Sequence, residues 1–209
     1  MKSLERKLRA ALAGTSDAAP RPVTPIELPL KLDKVLMPRL LRNLRPASVL
    51  VPVMRRPRGL QELLTRRSEK LRSHRGQISF PGGRREESDP TAAAAALREA
   101  QEEVGIPPAA VEVVGYLDDY PTLSKYLVTP VVGLVEDAAE VRPCAREVAE
   151  IFEVPLGFVL DRDNFESKVL SREGLNVPFF ELNFGHHRIW GATAGMLWNL
   201  ARTVAAHEG

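Results

Sequence analysis

Apolar residues in this chain follow two spacings, and the change between them marks out its elements. Residues 47–54 and 60–65 are short β-rich runs, with residues 55–59 turning between them. Residues 77–80 form a brief strand that stops at Pro81-Gly82-Gly83. Residues 111–117, 126–135 and 151–154 alternate or run apolar as strands, and residues 165–170 and 177–182 are two further candidates. Helical spacing predicts three helices. The first covers residues 1–13 through Leu4, Leu8 and Leu12. The last covers residues 192–206, with Ala194, Leu197, Trp198, Ala201 and Val204 on one face. Between them lies residues 89–103, where Asp89 is placed as N-cap, Pro90 as first helical residue, and Gly105 just past the end. Residues 28–44 also show helix-like spacing, interrupted by Pro38. Residues 14–25 carry Pro20, Pro22 and Pro25 and read as a linker or loosely held arm. Strands outnumber helices and the helices fall at separated points. The pattern predicts an α/β fold, a mixed sheet with helices on both sides.

Composition narrows this. The 209 residues suit one well-buried domain with an N-terminal extension, so we divide the chain into residues 1–46 (helical extension and linker) and residues 47–209. No apolar run is long enough to cross a bilayer and no signal-peptide core opens the chain, which gives a cytoplasmic expectation. Cys144, the single cysteine, excludes an intrachain disulfide and a multi-thiolate metal site. The net charge of +2 conceals an asymmetry. Residues 1–75 hold 18 Lys+Arg against 6 Asp+Glu, and residues 76–209 hold 11 against 21. The basic residues are interleaved with Leu and Pro and lack stacking aromatics, so nucleic acid is not the expected partner. The preferred reading gives cations for a phosphorylated ligand to the first part and metal-binding carboxylates to the second. A merely Arg-rich surface is the alternative.

The chemistry concentrates in Arg98-Glu99-Ala100-Gln101-Glu102-Glu103-Val104-Gly105-Ile106. On a helix Glu99, Glu102 and Glu103 share one face within a turn. They repel one another there and oppose the helix dipole, unless a cation lies among them. Oxygen donors suit a hard ion such as Mg²⁺. A solvated acidic face, with Arg98 paired to Glu102, is the other reading of the spacing. Just upstream, Phe80-Pro81-Gly82-Gly83 allows backbone to approach a ligand closely. Arg66, Arg67, Arg72, His74 and Arg75 put five cationic or cation-forming side chains in ten residues, and Arg forks suit phosphate oxygens.

Strand, Gly-Gly turn, acidic loop and glutamate helix together resemble the Nudix hydrolase family. Its box runs Gly, five residues, Glu, seven residues, then Arg-Glu-apolar-any-Glu-Glu-any-Gly-apolar, and residues 98–106 match every defined position. Gly83 and Asp89 keep the five-residue gap, but the stretch from Asp89 to Arg98 is one residue longer than the family pattern. Residues 63–83 resemble the motif of the coenzyme A diphosphatase branch, with Arg67, Ser68, Arg72, Gly76, Phe80, Pro81, Gly82 and Gly83 in register. That branch accommodates the longer box.

The resemblance covers about residues 47–160. It implies a Nudix-type α/β/α sandwich with a mixed β-sheet and a strand–loop–helix–loop catalytic motif. It implies Mg²⁺ or Mn²⁺ at Glu99 and Glu103, with Glu102 serving a second ion or a water. Arg67, Arg72, Gly82 and Gly83 are the candidate substrate contacts, and Glu102, Glu147 and Glu150 the candidate general bases. The implied reaction splits coenzyme A, or a derivative, into 3′,5′-adenosine diphosphate and 4′-phosphopantetheine. Three alternatives stay open: another nucleoside diphosphate derivative such as ADP-ribose or a dinucleotide, an oxidised nucleotide, or a Nudix-fold regulator without catalysis. No membrane partner is expected, and a homodimer is compatible with the sequence.

Overall fold

Strand β1 (Arg45–Arg56) forms the centre of the molecule, and its residues from Ala47 to Met54 are almost all buried. A strand covered on both faces needs an unbroken apolar run rather than alternation, which is what its sequence supplies. In this computed structural model, which describes residues 2–18, 21–23, 42–70, 74–172 and 175–207, β1 is preceded by α1 (Lys2–Leu12). It is followed by β2 (Gly59–Arg67), β3 (Ile78–Ser79), β4 (Gly82–Arg84), α2 (Ala92–Val104), β5 (Val111–Tyr116), β6 (Tyr120–Pro121) and β7 (Tyr126–Val135). The chain continues through β8 (Val148–Pro155), α3 (Leu156–Leu160), β9 (Phe165–Arg172), β10 (Leu175–Phe184), β11 (His187–Trp190) and α4 (Ala192–Ala205). Most of the helix-like spacing over residues 28–44 lies outside the described residues.

Strands β3, β2, β1, β7 and β5 lie in that order. Strand β4 also pairs with β1, β6 with β7, and β8 with β2, giving eight strands in one sheet. The β1–β7 pair is parallel and the others are antiparallel, so the sheet is mixed. A second sheet orders β11, β10 and β9, all antiparallel.

Alternation along the strands divides the core in two. Leu50, Met54, Leu63, Val131 and Val135 face α2, where Ala92, Ala96, Ala100 and Val104 form a narrow stripe that lets the helix lie close to the sheet. Val51, Val53, Leu64, Val132 and Leu134 face the other way, toward Leu8 and Leu12 of α1, Leu197 and Leu200 of α4, and Leu182 and Ile189 of the small sheet. The result is an α/β/α sandwich.

Two expectations require correction. The N-cap of α2 is Thr91, whose hydroxyl accepts from the Ala94 N–H at 3.0 Å, and the helix starts at Ala92. Asp89 stays in the loop, accepting from the Glu86 N–H at 2.8 Å and binding Arg98. The described part of residues 14–25 is also fastened, not loose. Asp17 accepts from the Ala92 N–H at 3.0 Å, at the positive end of the helix dipole. Arg21 forms a buried ion pair with Asp119 at 2.9 Å. Strands β4, β6 and β11 and helix α3 are too short for periodicity to reveal.

Part of the charge asymmetry is resolved inside the molecule. Arg9 pairs with Glu112, Arg21 with Asp119, Arg55 with Glu136, Arg56 with Glu153, and Arg66 with Glu150. Each pair joins a basic residue of the first part to an acid of the second. These five arginines therefore hold the fold together rather than wait for a phosphorylated ligand. Arg67 is directed elsewhere, to Glu103.

Candidate active site

The site forms where β4 leads through a loop into α2. Gly82 has φ 155°, and a Cβ there would stand 2.5 Å from the Ser48 carbonyl oxygen, so the turn beside β1 requires glycine. At Gly83 a Cβ would come within 2.7 Å of both Glu99 carboxylate oxygens. The absence of that one carbon lets the helix carboxylate lie against the turn.

Arg98 fixes the loop. Its Nε donates to Asp89 Oδ1 at 3.1 Å, one terminal nitrogen to Asp89 Oδ2 at 3.0 Å, and the other to Glu99 Oε1 at 2.9 Å. The guanidinium holds the Asp89 carboxyl below its usual pKa. Sequence reasoning left Arg98 with only a pairing to Glu102, a contact that is present at 3.5 Å. Its bridging role depends on a loop the periodicity does not describe.

Glu103 is 4% exposed. Its Oε2 accepts from the Gly82 N–H at 3.1 Å and its Oε1 lies 3.5 Å from an Arg67 terminal nitrogen. Burial outweighs both contacts and pushes the carboxyl up to about 7, with Glu99 and Glu147 adding repulsion. Burial likewise raises Glu99 against the pull of Arg98, and Glu102 and Glu147 push the same way. Glu102 stands at the rim, its side chain 60% exposed. Arg67 Nε is buried without a hydrogen-bond partner.

Glu147 belongs to this cluster because its loop is tied to the end of α2. The Cys144 N–H donates to the Glu103 carbonyl at 2.8 Å and the Arg142 N–H to the Val104 carbonyl at 2.9 Å. Glu150 lies elsewhere, on β8, held by Arg66 at 2.9 Å and His187 at 3.1 Å. Arg72 falls outside the described residues. The structure therefore brings Glu99, Glu102, Glu103, Glu147, Arg67, Gly82 and Gly83 together and separates Glu150 from them.

Closely set carboxylates, Glu103 buried and Glu99 half-buried, that repel one another and offer only oxygen donors suit a hard divalent cation, whose charge would offset the burial and repulsion that raise their pKa values. The glycine turn leaves backbone accessible next to them, where a phosphate group can approach. Such an arrangement suits hydrolysis at phosphorus.

Comparison with known proteins agrees with this chemistry. The family description "NUDIX domain" matches residues 44–172. A Klebsiella pneumoniae protein described as an uncharacterized Nudix hydrolase, NudL, is 44% identical over 165 residues, covering 78% of this chain and 85% of its own. Its namesake from Escherichia coli K12 is 43% identical over 163 residues, covering 78% and 84%. Among solved structures, a Nudix hydrolase from M. smegmatis, RenU, superposes with a TM-score of 0.51 at 20% identity, covering 78% of this chain and 86% of its own, a likeness of fold.

Proposed function

The chain belongs to the Nudix hydrolase family, and from that premise we propose that it hydrolyses the diphosphate bond of coenzyme A or a coenzyme A derivative. The products are 3′,5′-adenosine diphosphate and 4′-phosphopantetheine. One observation carries this reading: the two motifs meet. Arg67, from the stretch that resembles the coenzyme A branch, lies 3.5 Å from Glu103 of the glutamate helix, and the Gly82 N–H binds the same carboxylate.

In this reading Glu99 and Glu103 hold Mg²⁺ or Mn²⁺, and Glu102 at the rim serves a second ion or orients water. The ion, when bound, neutralises the diphosphate and lowers the pKa of a coordinated water. Glu147 is the general base, because the Cys144 and Arg142 ties hold its loop against the end of the glutamate helix. Glu150 is not assigned to catalysis, since Arg66 and His187 occupy both of its oxygens. Arg67 and Arg72 bind phosphate oxygens, and Gly82 and Gly83 keep the turn open to the diphosphate. Residues 47–209 form the catalytic domain, with residues 1–46 an extension whose helix α1 packs on it. The enzyme acts in the cytoplasm.

The test is a substrate panel with Mg²⁺ or Mn²⁺: coenzyme A, dephospho-coenzyme A, ADP-ribose, NADH and 8-oxo-dGTP. Coenzyme A should give the two stated products with the highest kcat/KM. Dephospho-coenzyme A, lacking one charge-assisted contact of roughly 1.5–3 kcal/mol, should fall about ten- to a hundredfold lower. A tenfold preference for any of the other three overturns the substrate and leaves the family reading intact.

A further inference from the structure

Away from the glutamates of α2, a second group of ligating side chains gathers where the two sheets meet. Glu150 comes from β8 in the large sheet, and in the small one His186 comes from the β10–β11 turn and His187 is the first residue of β11. One ligand atom from each lies within 4.8 Å of the others. His187 Nε2 is 3.1 Å from Glu150 Oε1, and His186 Nε2 is 3.9 Å from the same oxygen.

Those separations have a chemical meaning. Donors placed tetrahedrally about Zn²⁺ at roughly 2.0–2.2 Å stand about 3.3–3.6 Å apart, a range that the two distances bracket. Two of the three ligands are also fixed in advance. The His187 ring lies parallel to Phe152 with centroids 3.6 Å apart, and its side chain is 10% exposed. Arg66 holds Glu150 through Oε2 at 2.9 Å, leaving Oε1 turned to the imidazoles. Outer partners of this kind set the orientation of a metal ligand. His186, 82% exposed, has room to turn its imidazole toward the other two donors. A cavity of about 350 Å³, lined in part by His186, His187, Arg66, Arg188 and Trp190, opens beside the group. That leaves space for a fourth ligand from solvent, as in zinc sites with three protein ligands.

We infer that Glu150, His186 and His187 form a site for a zinc-class divalent transition ion, separate from the α2 glutamates and joining the two sheets. Two imidazoles and one carboxylate favour Zn²⁺ over Mg²⁺, whereas the all-oxygen set on α2 does the reverse. The two sites therefore select different ions from one mixture. The inference does not depend on the identity of the substrate.

Equilibrium dialysis of the tag-free full chain against Zn²⁺, with Mg²⁺ in large excess, tests it. Wild type should retain one equivalent of Zn²⁺ per chain, and E103Q should retain it equally. H186A, at an exposed position that leaves the fold intact, and E150Q should each bind more than about a hundredfold more weakly, since losing even an outer partner costs about 10–100-fold. Zn²⁺ should also raise the Tm of wild type but not of H186A, because the ion ties one sheet to the other. Equal Zn²⁺ retention by wild type and H186A overturns the site. So does loss of Zn²⁺ in E103Q alone, which places the ion on α2.

Discussion

Glu112 and Glu103 are both glutamates on regular elements, and the fold treats them in opposite ways. Glu112, on β5, accepts from both terminal nitrogens of Arg9 at 2.6 and 2.7 Å and from Arg55 at 3.2 Å. Hydrogen bonds to Arg9, ahead of those to Arg55, pull its carboxyl down to about 2. Glu5 and Glu136 complete this lattice, which ties α1 to β1, to β5 and to the end of β7. Glu103 faces one distant guanidinium and one amide, is buried, and sits among Glu99 and Glu147. In the lattice each of these carboxylates has an arginine close at hand. At Glu103 the charge is left unbalanced and buried, and a divalent cation is the counter-charge that the proposed metal site would supply.

The largest effect should follow from removing the unbalanced charge. E99Q should lower kcat/KM by at least about a hundredfold while leaving the far-UV spectrum unchanged, because the substitution keeps size and hydrogen-bonding capacity but removes a cation ligand. Activity within tenfold of wild type would dissolve the contrast with the lattice. An intermediate effect is expected from G83A. The added methyl would stand 2.6 Å from the Glu99 carboxyl carbon, so the side chain must move. Turnover should drop about tenfold, with the apparent affinity for Mn²⁺ weakened in parallel, and kinetics at several Mn²⁺ concentrations separates the two.

The smallest effect belongs to the lattice. Because the folded pKa of Glu112 is lowered to about 2, its contribution to stability is present above about 4.5 and is lost as the pH falls from there toward 2. E112Q should therefore show a flatter decline of Tm through that window. At pH 7 the change should be a few degrees at most, since the pair is half-exposed and screened by salt. Turnover should not change, and a turnover defect in E112Q would show that the lattice and the site are not independent.

The two regions also differ in how far the sequence reveals them. The carboxylates of α2 are legible because a helix fixes which residues share a face, and the spacing of Glu99, Glu102 and Glu103 needs no tertiary information. The Gly82-Gly83 turn is legible because only glycine tolerates so close an approach. The lattice is invisible in the sequence, since Arg9 meets Glu112 across 103 positions and Arg55 meets Glu136 across 81. The same blindness made scattered arginines look available for a ligand. Glu147 and Glu150, three residues apart on one charged segment, cannot be told apart by pattern. The ties from Cys144 and Arg142 to α2 bring the first to the cluster, while the β10–β11 hairpin claims the second. Thr91, not Asp89, caps α2 because Arg98, nine residues on, draws Asp89 into the loop.

The most direct test compares the Tm of wild type and E103Q at pH 8, with and without Mn²⁺. A carboxyl raised to about 7 stabilises the metal-free fold fully only below about 4.5, and that contribution is gone once the pH passes about 7. At pH 8 the metal-free wild type therefore carries a buried, repelled charge that E103Q lacks. The account predicts that metal-free E103Q melts at least as high as metal-free wild type, and that Mn²⁺ raises the Tm of wild type strongly and of E103Q little or not at all. A metal-free E103Q that melts several degrees lower, together with an equal Mn²⁺ shift in both proteins, would contradict it.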